Sequence, residues 1–272
     1  MRITILLLFL CAVTCSATTL LDPFNVCYTG STVCGGDVIG NPLNYDIQMA
    51  VMTVAPDSGH TGDTVTVSLY FDSGAVTGSG SGMSLGSFSD AGLSLIVGDL
   101  FFYSGDQVGD PSDPTGTLYA VPLDTVGRTF TAGALYQVTT DETASQALGN
   151  PTGVTYRPAE TVLMTAGTLE HTTGNSPVTV AKTGDNGTTT GPLYEVTVSF
   201  DTTSTSFMSL VTGGQIGILF SSADCANDVI EGTVPVTTTP EPQSLALIAG
   251  GLGMLIGVGA WRRRTTRKSR AA

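Results

Sequence analysis

Basic side chains are almost missing from the middle of this chain of 272 residues. All but one of the 23 acidic residues lie between positions 18 and 239, where the basic residues are Arg128, Arg157 and Lys182. A surface with such a strong negative field repels phosphate groups. The composition therefore argues against binding of nucleic acid or of anionic lipid headgroups, and we expect no nucleic-acid partner.

Tryptophan and helical apolar patterns are also scarce. The single Trp, Trp261, lies near the C-terminus, so sugar stacking in the middle of the chain would fall to Tyr and Phe. No long apolar pattern with a period of 3.6 residues is found there, which argues against a helical or α/β scaffold. Hydrophobic residues make up 41% of the chain, which argues against wholesale disorder.

Short runs of strand-like sequence, separated by turn residues, fill the middle of the chain. Residues 64–71 alternate polar and apolar side chains, which is the period of a strand with one buried face. Clusters of Gly, Asn, Asp and Pro separate the runs. Further strands are predicted at 93–97, 100–103, 117–123, 135–139, 161–164, 178–181, 194–200, 215–220 and 229–236. The pattern predicts an all-β fold, with a β-sandwich-like ectodomain over residues 18–236.

The N-terminus has the order of a secretory signal peptide. Arg2 precedes an apolar run over residues 5–13, and the small residue Ala17 follows. We predict that residues 1–17 are a signal peptide, cleaved after Ala17. The alternative is a lipidated Cys15, but Thr14 stands where Gly or Ala is expected, and no Leu lies three places upstream.

Three cysteines remain after such a leader, in a compartment where disulfides persist. Cys27 and Cys34 could close a small loop near the mature N-terminus, and this pair is the predicted disulfide. Cys225 could instead pair with either of them, because connectivity does not follow from sequence. His60 and His171 lack zinc-like spacing to these cysteines and lie in no catalytic motif, so no catalytic residue is predicted.

Three carboxylates lie in one turn-rich loop after the run at 100–103: Asp106, Asp110 and Asp113. Calcium prefers several oxygen ligands, and flexible loops can supply them. The spacing is not that of an EF-hand, because alternating acids and a closing Glu are missing. The sequence leaves two interpretations, a calcium site or solvated turn acids, and we expect no other cofactor.

An apolar segment and a basic cluster end the chain. Residues 244–261 carry no charge and would form a helix about 27 Å long at about 1.5 Å per residue, close to the thickness of a bilayer core. Arg262, Arg263 and Arg264 follow directly, and arginines in this position hold a chain end in the cytoplasm. We therefore predict a single transmembrane helix at 244–261 and a basic cytoplasmic tail at 262–272.

The linker before this helix, residues 237–243, contains Pro240, Glu241 and Pro242. A Pro-Glu-Pro motif, a Gly-rich apolar segment and a terminal Arg cluster, in this order, resemble the PEP-CTERM sorting signal. The resemblance implies export in a Gram-negative bacterium and cleavage near Glu241 by an exosortase, a membrane enzyme similar to cysteine transpeptidases. Many proteins with this tail are linked with exopolysaccharide. The segment 223–232 is similar to the closing strand of many uncharacterised members of this group.

Together these features predict a non-enzymatic exported protein. Its precursor is expected in the inner membrane, through the C-terminal helix, and its mature form at the cell surface or in the extracellular matrix. The expected partners are an exosortase-type enzyme and exopolysaccharide. The alternative is a secreted carbohydrate-binding module or a hydrolase with an acidic cleft, where two carboxylates act as acid and base. Acids gathered in a concave pocket would favour the hydrolase, whereas acids dispersed over strand ends would favour the structural role.

Overall fold

Strands account for most of the residues that the structure, a computed structural model, describes. The described residues are 16–21, 38–39, 42–56, 62–90, 92–104, 117–171, 178–185, 192–203 and 205–236. All of them belong to one unit, Ser16–Thr238. The strands are β1 Ser16–Leu21, β2 Ile47–Pro56, β3 Asp63–Phe71, β4 Val76–Thr77, β5 Ser84–Leu85, β6 Phe88–Asp90, β7 Leu93–Leu95, β8 Leu100–Ser104, β9 Tyr119–Val121, β10 Leu135–Thr143, β11 Thr161–His171, β12 Val178–Asp185, β13 Pro192–Asp201, β14 Gln215–Ser221 and β15 Val229–Pro235.

Two large antiparallel sheets form the fold. The first sheet has the strand order β1-β2-β3-β13-β12, and the second has the order β11-β10-β9-β8-β14-β15. Two small hairpins, β4-β5 and β6-β7, lie along the chain between β3 and β8. The described helices are short: α1 Pro42–Tyr45, α2 Ala144–Ala147, α3 Met208–Thr212 and the 3-10 turn Gly80–Gly82.

The core lies between the two large sheets. From Val65 to Phe71 in β3, every second residue is fully buried and the polar residues between them are partly exposed. The same hydrophobic cluster contains Val198 of β13 in the first sheet, and Phe102 of β8 and Ile218 of β14 in the second. The apolar faces of the two sheets therefore pack against each other.

The second sheet is buried on both faces around β8. Phe102 belongs to the core between the sheets, whereas Phe101 and Tyr103 belong to a separate cluster with Met164. Gly217 lies opposite Tyr103 on β14, and a Cβ atom at this glycine would collide with the tyrosine ring. Because both of its faces are covered, β8 has a continuous apolar sequence instead of an alternating one.

The first and last strands meet at one corner of the sheets. β1 lies against β15, and the hydroxyl of Thr18 donates a hydrogen bond to the carbonyl of Pro235 at 3.3 Å. Leu20 packs over Gly232, where a Cβ atom would collide with the leucine side chain. The edges opposite this corner are β12 in the first sheet and β11 in the second.

The all-β prediction is confirmed. Each of the ten predicted runs overlaps a strand, namely β3 and β7 to β15. Gly149 and Asn150, which lie between β10 and β11, have positive φ angles of 66° and 56°, as turn residues often do. The sequence did not predict β1, β2 or the small strands β4 to β6. None of the described helices is long and apolar enough to cross a membrane, and the predicted span at 244–261 lies outside the described residues.

Candidate functional site

A pocket of about 260 Å³ lies between loops of the described chain. Its walls come from α1, from the β6-β7 hairpin, from the loop after α2 and from the loop that joins β14 to β15, here named the 222–228 loop. Most of the wall is apolar. Residues on the wall include Ile39, Tyr45, Asp90, Leu93, Leu95, Val154, Cys225 and Asn227.

Tyr45 and Asp90 form a hydrogen-bonded pair in this wall. The short helix α1 holds Tyr45 in a site where 1% of the residue is exposed, and the ring packs against Phe88 with 5.8 Å between ring centroids. The Tyr45 hydroxyl donates to Oδ2 of Asp90 at 2.5 Å. Burial and this hydrogen bond raise the pKa of Tyr45 well above its usual value. The hydroxyl therefore stays protonated and holds the carboxylate in place.

Cys225 contributes a buried free thiol to the pocket. Burial and the negative charge of Asp224 raise the pKa of Cys225 to about 12. At neutral pH the group is therefore a thiol and a poor nucleophile. Cys27 and Cys34, with which Cys225 could alternatively pair, lie outside the described residues.

Asn227 joins the 222–228 loop to Ile39. The backbone N–H of Ile39 donates to the Asn227 carbonyl at 2.7 Å, and the Asn227 side-chain Nδ2 donates back to the Ile39 carbonyl. Asn227 is 7% exposed, and its Oδ1 has no hydrogen-bond partner within the described residues. This oxygen is thus a buried acceptor with unused capacity.

The acids of the 222–228 loop fasten it to neighbouring strands. Asp228 accepts a hydrogen bond from the N–H of Ile47 at 2.6 Å, at the start of β2. Asp224 accepts one from the N–H of Ile96 at 3.3 Å, just after β7, and its own N–H donates to the Ile96 carbonyl at 2.9 Å. These carboxylates satisfy backbone groups that the loop would otherwise bury without partners.

A buried ion pair lies close to this loop. Asp99 is fully buried, and both of its oxygens accept from the guanidinium of Arg128, at 2.6 and 2.7 Å. The N–H of Met164 also donates to Asp99 at 2.8 Å, and Arg128 donates to the carbonyl of Asp124 at 2.6 Å. Burial raises the pKa of Asp99, while Arg128 and the N–H of Met164 oppose that rise. The pair therefore joins β11 to the loops that precede β8 and follow β9.

Several of these residues carry no local sequence signal. The scarcity of cations is the one clue, because Arg128 and Arg157 are two of the three basic residues between positions 18 and 239. Both act inside the fold: Arg157 is 7% exposed and donates to the carbonyl of Ala226 at 2.8 Å. In an acidic domain with few basic residues, each basic residue is thus a candidate for an ion pair or hydrogen bond inside the fold.

The structure leaves the predicted sites untested, because they lie outside the described residues. This holds for the calcium ligands Asp106, Asp110 and Asp113, the cysteines Cys27 and Cys34, the motif Pro240, Glu241 and Pro242, and the arginines Arg262, Arg263 and Arg264. Of the two histidines, His171 ends β11 and His60 is not described. The described part of the chain contains no group of three or more His, Cys, Asp or Glu side chains placed to hold a metal ion.

Comparisons with known proteins add no relative. No protein-family model, curated protein or solved structure matches the chain. The argument for function therefore depends on the residues of this chain alone.

The pKa of Asp224 gives a testable pH dependence. Burial raises this pKa from 3.8 to about 6, against the hydrogen bond from Ile96 and the charge of Arg128. A raised carboxyl pKa stabilises the folded state below about pH 4, and this contribution is lost as the pH rises through 6. The rise of this pKa from 3.8 to about 6 corresponds to about 3 kcal/mol. The difference in unfolding free energy between Asp224→Asn and the native chain should change by about this amount between pH 4 and pH 7, with the variant relatively more stable at pH 7.

Denaturant titrations of both proteins at the two pH values measure this difference. The comparison removes the contributions of other groups, since burial also raises the pKa of Asp63. A constant difference between the two proteins across this range would contradict the assignment.

Proposed function

We propose that this chain is a non-enzymatic protein of the cell surface or extracellular matrix. In this proposal a signal peptide exports a β-sandwich ectodomain, and an exosortase-type enzyme processes a PEP-CTERM-type tail at Glu241. The proposed partner of the ectodomain is exopolysaccharide. The non-enzymatic part of the proposal rests on one observation: the described acidic side chains mainly bind groups inside the fold.

Acidic side chains serve mainly as internal anchors in the described fold. Asp99, Asp224 and Asp228 each accept a hydrogen bond from a backbone N–H. Among the described residues, the pocket wall holds one carboxylate, that of Asp90, and Tyr45 already binds it. Glycoside hydrolysis generally needs two carboxyl groups, roughly 5–10 Å apart, on either side of the scissile bond. This arrangement favours a structural role over an acidic-cleft hydrolase.

The outward face of the first sheet supports a polysaccharide partner. Hydroxyl groups pair across β3 and β13, with Thr66 to Ser199 at 2.9 Å and Ser68 to Thr197 at 3.0 Å. Each hydroxyl can both donate and accept, so these pairs retain capacity for further hydrogen bonds. A partly exposed sheet face of this kind suits a hydrated, polyhydroxylated polymer better than an apolar partner.

The ends of the described fold are compatible with removal of both terminal segments. Cleavage after Ala17 leaves residues 18–21 paired with β2, and Thr18 keeps its hydrogen bond to Pro235. At the other end, Val236 is 7% exposed and lies directly before the linker 237–243. The core therefore keeps its strands when the predicted leader and tail are cut away.

Mass spectrometry of the C-terminal peptide tests the proposed processing. In the native host the mature protein is expected to end near Glu241, because Pro240 and Pro242 disfavour helix and keep this residue in an extended, accessible segment. In a host without the processing enzyme, the peptide should extend through the arginine cluster to Ala272.

A pair of neighbouring variants separates the motif from its surroundings. Glu241→Ala should block processing in the native host, whereas Gln243→Ala should leave it intact. Recovery of residues 262–272 in the mature native protein would show a permanent anchor and overturn the sorting proposal. Release of new reducing ends from an exopolysaccharide by the purified protein would instead favour the hydrolase.

A further inference from the structure

The outward face of the first sheet holds a carboxylate that two hydroxyl groups fix in place. Oε1 of Glu195 on β13 accepts from the Tyr70 hydroxyl at 2.9 Å and from the Thr197 hydroxyl at 3.3 Å. Glu195 is partly exposed, and its Oε2 is neither hydrogen-bonded within the described residues nor one of their buried unpaired oxygens. The carboxylate is therefore held in one orientation, with one accessible oxygen left to accept from a bound molecule.

Hydroxyl groups continue from Glu195 along the same face. Thr197 pairs with Ser68 at 3.0 Å, and two positions further along β13 Ser199 pairs with Thr66 at 2.9 Å. These residues are partly or largely exposed, and each hydroxyl can both donate and accept. The face therefore offers a row of hydrogen-bonding groups to an extended, polyhydroxylated chain.

Apolar side chains border Glu195 on the side of β2. Met49 lies opposite Tyr70, and Val51 lies opposite Ser68 in the next row of the face. Tyr70, Met49 and Val51 are all partly exposed. A tyrosine combines an apolar ring with a polar tip, so it can contact the apolar side of a sugar ring while its hydroxyl binds Glu195. Tyr70 thus supplies the aromatic contact that the chain lacks as tryptophan in this region.

The face is negatively charged. Among the described residues of its five strands, the positions that share this face with Glu195 contain no Lys, Arg or His, and Asp201 adds a second carboxylate on β13. Burial opposes ionisation of Asp201, but hydrogen bonds from Thr203 and the charge of His171 lower its pKa, so it is ionised at neutral pH. Six residues separate the two carboxylates, which is about 20 Å along a strand. The face therefore attracts a cationic polymer and repels an anionic one.

We propose that this face binds a polysaccharide of amino sugars with free ammonium groups. The inference rests on the polysaccharide partner proposed above and specifies the charge of that polymer. One ammonium group donates to Oε2 of Glu195, the sugar ring lies against Tyr70 and Met49, and neighbouring sugar hydroxyls bind the pair of Ser68 and Thr197. A hydrogen bond between an ammonium group and a carboxylate is charge-assisted and stronger than one from a neutral hydroxyl.

Titration of the intact chain in a nonionic detergent with three hexasaccharides tests the proposal. The probes are the hexamers of glucosamine, of N-acetylglucosamine and of galacturonic acid, which are cationic, neutral and anionic at about pH 6. Calorimetry at constant ionic strength gives the affinities. We expect saturable binding of the glucosamine hexamer, about tenfold or more tighter than that of the N-acetylated hexamer. The galacturonic acid hexamer should bind most weakly.

Two variants and a matched control locate the site. Glu195→Gln keeps an acceptor but removes the charge, so it should abolish most of the preference for the cationic hexamer over the neutral one. Glu142→Gln makes the same change on β10 of the second sheet, where Glu142 is partly exposed, and should leave the preference unchanged. Tyr70→Ala should weaken binding of both hexamers, because it removes the ring, while the protein retains a cooperative melting transition.

The outcomes separate this inference from the proposed function. Equal losses in Glu195→Gln and Glu142→Gln would show attraction by the overall charge and would overturn the assigned site, as would unchanged binding in a folded Tyr70→Ala protein. If the neutral or the anionic hexamer bound as tightly as the cationic one, the inference would be wrong while the polysaccharide partner would stand. Failure of all three hexamers to bind would contradict both.

Discussion

Arg128→Met is expected to lower the free energy of unfolding by about 3–5 kcal/mol at pH 7. The substitution removes the guanidinium that binds both oxygens of Asp99, and it leaves a carboxylate with no solvent exposure next to the single N–H of Met164. Without Arg128 the pKa of Asp99 should rise further, so the loss of stability should shrink as the pH falls and Asp99 becomes protonated. Denaturant titrations over a range of pH values measure both effects.

Lys182→Met serves as the control for this prediction. It makes the same change from cation to methionine on β12, where Lys182 is exposed, and should alter stability by no more than about 0.5 kcal/mol. The double variant Asp99→Asn with Arg128→Met should recover part of the loss, since a neutral amide costs less to bury than an unpaired carboxylate. If Arg128→Met costs no more than Lys182→Met, the ion pair does not support the fold.

Phe207→Ala is expected to destabilise the protein by about 3–5 kcal/mol through the cavity that it leaves. Phe207 is fully buried just before α3, and its ring contacts three other rings. The ring centroids of Phe102, Phe200 and Tyr119 lie 5.3, 5.3 and 5.2 Å away, each in an edge-on arrangement. Because these rings come from β8, β13 and β9, the substitution removes packing from both large sheets. The unfolding free energy from denaturant titration gives the result.

Phe130→Ala removes the same volume from a less buried site. The ring of Phe130 is partly exposed and stacks edge-on against Tyr136 at 5.3 Å between centroids. Because solvent already reaches this ring, the loss should be no more than about half of that for Phe207→Ala. Equal losses of unfolding free energy at the two positions would show that burial of Phe207 among three other rings adds nothing to stability beyond the volume of its own ring.

Much of the fold could be predicted from the sequence, because most strands have one buried face or a short apolar run between turns. β3 is the clearest case, since its alternating residues 64–71 match its alternating burial. β2 was missed although it lies inside the first sheet, between β1 and β3. Its residues Met49 and Val51 are apolar but face outward with partial exposure, so the strand shows no alternation. The helices were missed because four or five residues are too few to show a helical period.

The candidate site could not be predicted, because its contacts join positions that are distant in sequence. Tyr45 reaches Asp90 across 45 positions, and Arg128 reaches Asp99 across 29. Strand order decides which loops meet, and β14 pairs with β8 although five strands and more than a hundred residues separate them along the chain. The sequence showed that cations were rare, but it did not show where Arg128 and Arg157 would act.

The corner formed by β1 and β15 has a consequence for biogenesis. The hydrogen bond from Thr18 to Pro235 joins residues 217 positions apart, so the corner can close only after almost the whole domain has emerged. If the chain is exported with its N-terminus first, as proposed above, β14 has one unpaired edge while β15 is still in transit. Such edges keep the polypeptide loose enough to be threaded, and they are also where two nascent copies would associate by mistake. When β15 pairs with β14, the open edge disappears, and with it both the loose state of the chain and the risk of association.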